Sequence, residues 1–192
     1  MARVLHLTDL HFGFHREALI APLLERIAAL RPDLVVVGGD ITHRALPVQM
    51  RKARAFLDRI EAPVICMPGN HDVPLWNPLA RFFWPFAGFR RHFGPVLTPV
   101  ARAGEVRVMA LNSTDPYAWQ RGKIRDGEIG RLIGNVDPLG TNIVALHHPL
   151  QHLPRVTKVP ARRASEALYR LEASGVHVIL SGHLHRWAVD EL

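Results

Sequence analysis

The sequence predicts an α/β layered domain, and two observations carry that expectation. Short β-branched apolar runs alternate along the chain with amphipathic stretches of helical spacing, the pattern of strands packed against helices. Five of the strand-like runs end in histidine, aspartate or asparagine, and in open α/β sheets ligands bind beyond the carboxyl ends of the strands.

Ala2 to Leu7 reads as the first strand, ending at Asp9 and His11. Leu19, Ile20, Leu23, Leu24, Ile27 and Leu30 then recur at helical spacing and stop before Pro32. Asp33 to Val37 reads as a strand whose Leu34-Val35-Val36-Val37 is a continuous apolar run, as expected of a strand buried on both faces, and leads to Gly38-Gly39-Asp40. Val48, Phe56, Leu57 and Ile60 mark a second helix. Pro63 to Met67 is a third strand that ends at Gly69-Asn70-His71-Asp72. Val106 to Leu111 and Ile143 to Leu146 are further strands, the latter running into His147-His148-Pro149. A helix from Ala161 to Ala173 stops at Gly175, and Val176 to Leu180 is a last strand before Gly182-His183-Leu184-His185.

One segment breaks the alternation. Residues 74–94 hold seven of the 14 aromatics, from Trp76 to Phe93, and Pro74, Pro78 and Pro85 preclude one uninterrupted helix there. The expectation is a compact excursion whose aromatics pack on the core, with a lid over the site or a surface dipping into a membrane interface as alternatives.

At 192 residues, 48% hydrophobic and 21% charged, the chain suits one core, so a single domain over residues 1–192 is expected and disorder is excluded as its main character. Apolar runs such as Leu34 to Val37 fall far short of the roughly 20 residues of a membrane-spanning helix. Strand-like sequence from Ala2 onward and a lone cysteine, Cys66, lead to the expectation of a cytoplasmic protein with a buried, inert thiol. The net charge of +7 suits anionic partners, including nucleic acid, phosphorylated metabolites and an acidic membrane surface, without choosing among them.

The strand ends carry the chemistry. Asp9, His11, Asp40, Asn70, His147, His183 and His185 offer two carboxylates, one amide oxygen and four imidazoles. That is too many donors for one tetrahedral ion and suits two ions sharing a bridging aspartate. An imidazole-rich, thiolate-free set favours two divalent or trivalent ions of Mn, Fe, Zn or Co. Their surplus positive charge would bind a phosphoryl oxyanion and acidify water. Asp-x-His and His-x-His are expected to lie on extended chain, where alternate side chains point the same way. The glycines before these residues, Gly38, Gly39, Gly69 and Gly182, are expected to bring backbone close to a bound group.

Asp-x-His at 9–11, Gly-Asp at 39–40, Gly-Asn-His-Asp at 69–72, His-His-Pro at 147–149 and Gly-His-x-His at 182–185 resemble, in this order, the calcineurin-like metallophosphoesterase superfamily. The pattern is most similar to small bacterial phosphodiesterases of the cyclic-AMP and glycerophosphodiester type. The resemblance implies a β-sandwich of two mixed sheets flanked by helices, with a dimetal centre at its edge. It implies that Asp9, His11 and His185 hold one metal and Asn70, His147 and His183 the other, with Asp40 bridging. A hydroxide between the ions would attack phosphorus, His71 would protonate or stabilise the leaving oxygen, and Asp72 would orient His71 by a hydrogen bond. It also implies further strands after His185, where only seven residues follow, so the second sheet is expected to lack them or to take them from a partner copy in a homo-oligomer.

Substrate contacts are expected from His148, which neighbours the ligand His147, and from His43, Arg44 and Asn112 in loops that follow strands. His148 could equally act behind the ligands. The expected activity is hydrolysis of a phosphodiester, small or nucleotide-like. The alternatives are a nuclease of the same superfamily, motivated by the charge of +7, and a non-catalytic binding scaffold.

Overall fold

The computed structural model of the chain describes residues 2–153 and 156–190. Two sheets form the centre. The first is three-stranded and parallel, in the order β1 (Val4–Leu7), β2 (Leu34–Val37), β3 (Val64–Cys66). The second is mixed, in the order β4 (Val100–Ala103), β5 (Val106–Leu111), β6 (Thr141–Leu146), β7 (Val178–Leu180), with β4 antiparallel to β5 and the others parallel.

The alternation of side chains builds four layers. Val35, Val37 and Cys66 face the helices α1 (Ile20–Leu30), α2 (Pro47–Leu57) and α4 (Ala87–Phe93), burying Ile27, Phe56 and Phe89 with them. Leu34, Val36 and Met67 face the other way, against Val108, Ala110 and Ala145 of the second sheet. Met109, Leu111, Val144 and Leu146 cover the outer face of that sheet and pack on α5 (Asp126–Ile133) and α6 (Ala164–Glu172). The order is therefore helix, sheet, sheet, helix, and β2 is apolar at every position because both of its faces are covered.

Four elements, β4, α5, α3 (Pro78–Phe83) and α4, were not foreseen. Strand β4 has only one buried side chain and pairs with β5 as an edge hairpin, so no two-sided apolar run marks it. Helix α5 contains Gly127 and Gly130, poor helix formers, and is held by Ile129 and Leu132 in the core. Within residues 74–94, α3 and α4 are two short helices broken at Pro85. The expected packing of this segment holds only in part. Phe89 and Phe93 enter the core, because their spacing of four places both on one face of α4, whereas Trp76, Phe82, Phe83 and Trp84 are exposed.

Register positions the functional loops. Leu7 lies opposite Val37 and Val37 opposite Cys66, so the three segments that follow leave the first sheet at one level. Leu111 lies opposite Leu146 and Ala145 opposite Leu180, which aligns the exits from the second sheet.

Small residues let the sheets approach. Replacing Ala110, buried between them, with Leu is expected to cost about 1–3 kcal/mol by overpacking. Tyr169→Ala on exposed α6 should change stability by less than about 0.5 kcal/mol. Urea unfolding of the two variants beside the parent checks this, and equal midpoints would contradict the sandwich packing.

Candidate metal centre

The seven strand-end residues meet at one end of the sandwich. Asp9 and His11 come from the loop after β1, Asp40 from that after β2, Asn70 from the 3-10 turn after β3, His147 from the end of β6, and His183 and His185 from the loop after β7. Among the described residues, eight non-glycine residues have left-handed φ. Five of these are Asp9 (56°), His11 (45°), Asp40 (49°), His183 (71°) and His185 (53°). Such conformations cost about 1–3 kcal/mol each where strained, and their concentration here marks a site that the fold over-determines.

This corrects one expectation. The Asp-x-His and His-x-His pairs do not lie on extended chain, and the pair His183 and His185 splits between two donor clusters. His185 Nε2 is 3.1 Å from His11 Nε2 and 3.2 Å from Asp9 Oδ1, and His11 Nε2 is 3.8 Å from both Asp9 Oδ1 and Asp40 Oδ2. His183 instead packs against His147, with ring centroids 5.2 Å apart. Asp40 Oδ2 is 3.2 Å from His147 Nε2 and so stands between the clusters.

Close backbone contact makes this arrangement. Gly39 has φ 88°, and Gly69 abuts Asp40 so tightly that a Cβ there would lie 2.2 Å from Asp40 Oδ1. Asp40 Oδ1 accepts the backbone N–H of His71 (2.8 Å), which turns Oδ2 toward the histidines. Asp9 accepts the Thr8 hydroxyl (2.8 Å) and the His183 backbone N–H (2.9 Å), stitching the loop after β1 to that after β7.

The donor set fits metal ions. Asn70 Oδ1 and His183 Nδ1 are buried without a hydrogen-bond partner, a costly state for polar atoms. Asp9, His11 and His185 form one group with ligand atoms close enough to hold an ion, and Asp9, Asp40 and His147 form another. Burial pushes His11 down to about 4, against the pull of Asp40, and pushes His183 down to about 3, aided by His147. Both are therefore neutral near pH 7 and offer lone pairs. Burial also opposes charge on His147, but Asp40 outweighs it and lifts the imidazole to about 9. The same pairing, with His71, holds the Asp40 carboxyl below its ordinary range despite burial.

The remaining candidates are placed as follows. His71 lies beside His11, with ring centroids 4.9 Å apart, and its Nδ1 donates to the His43 carbonyl at 2.6 Å. The expected Asp72–His71 hydrogen bond is thus replaced. The Asp72 carboxylate turns away into the protein and accepts the N–H groups of Ile41, Thr42 and Gly69 and the Thr42 hydroxyl. Burial, reinforced by Asp40, pushes Asp72 up to about 6. His43 stacks on His71 on one side and on Phe14 on the other. The Arg44 side chain is exposed. Asn112 is buried, its Oδ1 engaged by the Thr114 N–H. His148 is also buried and both ring nitrogens are used, one with the Ser113 hydroxyl and the other with the Gln120 carbonyl, so of its two expected roles the geometry suits support of the ligand loop.

Several supporting residues escaped the sequence reading. His6 lies half-buried beneath Gly38, its Nε2 2.3 Å from where a Cβ would be, and desolvation lowers it to about 4. Its signal was present, a lone polar residue in the otherwise apolar strand β1. Ser113, Gln120 and Thr42 act through contacts distant in sequence and had no local signal.

The sequence model of the calcineurin-like phosphoesterases matches residues 2–187. The chain belongs to this family. Among its relatives, a cAMP/cGMP dual specificity phosphodiesterase of Mycobacterium tuberculosis is 30% identical over 207 residues, covering 95% of this chain and 61% of that protein. A probable cyclic nucleotide phosphodiesterase of Synechococcus is 26% identical over 199 residues, covering 95% and 73%. The chain thus spans about three fifths of the mycobacterial relative's length. Among solved structures, the purple acid phosphatase PPD1 of yellow lupin superposes with a TM-score of 0.71 at 16% identity, over 96% of this chain and 38% of that one. The shared fold is the two-sheet calcineurin-like phosphoesterase sandwich. Among the described residues no helix is long and apolar enough to cross a membrane.

One consequence concerns protons. Below pH 9 the metal-free protein keeps a proton on His147, which a cation must displace. Apparent affinity for Mn or Zn should therefore rise with pH between about 6.5 and 9, by up to about tenfold per unit. Titration calorimetry in two buffers of different ionisation enthalpy should show proton release, and affinity independent of pH would contradict it.

Proposed function

We propose that the protein is a dimetal phosphodiesterase acting on a small or nucleotide-like diester. The observation that carries this reading is Asp40 Oδ2, 3.8 Å from His11 Nε2 on one side and 3.2 Å from His147 Nε2 on the other. Asp9, His11 and His185 would hold one cation and Asn70, His147 and His183 the second, with Asp40 shared. When bound, the two ions supply Lewis acidity toward a phosphoryl oxygen and make water a competent nucleophile near neutral pH.

The chain's own contribution centres on His71. Its Nδ1–H bond to the His43 carbonyl orients the ring, and in the doubly protonated imidazolium form the Nε2–H would be the proton given to the leaving oxygen. The stack of Phe14, His43 and His71 restrains the ring plane. Asp72 acts at one remove, tying the loop after β2 to the turn that carries Asn70 and His71. The names of the relatives support cyclic nucleotides as the first substrates to assay.

The test measures hydrolysis of bis(p-nitrophenyl) phosphate, p-nitrophenyl phosphate and cyclic AMP by protein loaded with Mn, Fe, Zn or Co. Metal-dependent diester cleavage, abolished by a chelator, is expected to exceed monoester cleavage. His71→Ala should retain its metals and lose about 10²–10⁴-fold in kcat. Chelator-insensitive turnover, or equal turnover in variant and parent, would reject the reading.

A further inference from the structure

The exposed aromatics of residues 74–94 are not isolated. Phe82 lies 5.0 Å from Phe83, Phe83 5.6 Å from Trp84, and Phe82 5.6 Å from Tyr117 in the loop after β5, all between ring centroids. Together with Trp76 and Trp119 these side chains are between 53% and 71% exposed. The ridge is built rather than loose. Arg81 crosses from α3 to donate to the Ala118 carbonyl at 2.9 Å, and the Tyr117 hydroxyl donates to the Phe82 carbonyl at 3.3 Å. The loop bearing Tyr117 and Trp119 is itself fastened to His148 through the Gln120 carbonyl. A continuous run of exposed rings on a braced scaffold marks an interaction surface.

Charge identifies the partner. From Val73 to Gly104 the chain has four arginines, Arg81, Arg90, Arg91 and Arg102, and no aspartate or glutamate. Phe89 and Phe93 turn one face of α4 into the core, which leaves Arg90 and Arg91 exposed on α4, the helix that follows the ridge in the chain. The acidic residue at the base of the neighbouring loop, Asp115, is buried beneath it. A second copy would set arginine against arginine. Anionic phospholipid instead satisfies both parts, taking tryptophan and phenylalanine rings at the headgroup boundary and arginines at its phosphates.

We infer that the ridge of Phe82, Phe83, Trp84 and Tyr117, together with the exposed Arg90 and Arg91 of α4, docks the protein on an anionic membrane surface without spanning it. This inference is independent of the proposed chemistry.

Co-sedimentation of the full chain with vesicles of phosphatidylcholine containing 30 mol% phosphatidylglycerol, beside pure phosphatidylcholine, tests it. Binding is expected to the anionic vesicles alone, with a blue shift of tryptophan emission and weakening at high salt. Replacing Phe82, Phe83 and Trp84 together with Ser, and separately making Arg90→Glu with Arg91→Glu, should each weaken binding at least tenfold. Both variants should leave soluble diester hydrolysis at the parent level. Failure to bind anionic vesicles, binding unaffected by both variants, or a dimer that the variants dissociate in the absence of lipid would each overturn the inference.

Discussion

A carboxylate buried between imidazoles from two sheets organises this molecule. Asp40 sits at the point where the loop after β2 meets the loops after β1, β3 and β6, and its two oxygens have separate tasks. One is spent on the backbone of His71 and the other faces two histidines. An isolated carboxylate in such a place is costly, and is tolerated when cations or hydrogen bonds answer it. The parallel register of β1 with β2 and of β5 with β6, the small residues between the sheets and the glycine beside Asp40 all serve to bring those partners within reach.

The backbone carries the cost of that convergence. Left-handed φ at Asp9, His11, Asp40, His183 and His185 aims their side chains inward from strand ends, and helices on both outer faces supply the burial that holds such conformations. The buried Asn70 Oδ1 and His183 Nδ1, which have no hydrogen-bond partner, add to that cost. A bound ion would relieve these unsatisfied polar groups and so would add to the stability of the fold.

Much of this was legible in the sequence, for a physical reason. In α/β sheets ligands bind beyond the carboxyl ends of the strands, so Gly-Asn-His-Asp and Gly-His-Leu-His mark both a strand end and a candidate site. Doubly buried strands such as β2 were equally plain, because two covered faces leave a continuous apolar run. What stayed hidden depends on contacts between distant segments. The partner of His71 is a backbone carbonyl from another loop, and no side-chain pattern encodes that. The brace from Ser113 through His148 to Gln120 joins loops after different strands. Exposure of Phe82 and Trp84 reverses the ordinary meaning of an aromatic residue, so hydrophobicity alone pointed to the core.

Anomalous diffraction from crystals of the manganese-loaded protein tests the central claim most directly. Two peaks are expected about 3.5–4 Å apart. One should lie among Asp9, His11 and His185, the other among Asn70, His147 and His183, and Asp40 should contact both. A single peak, or peaks remote from Asp40, would contradict the account.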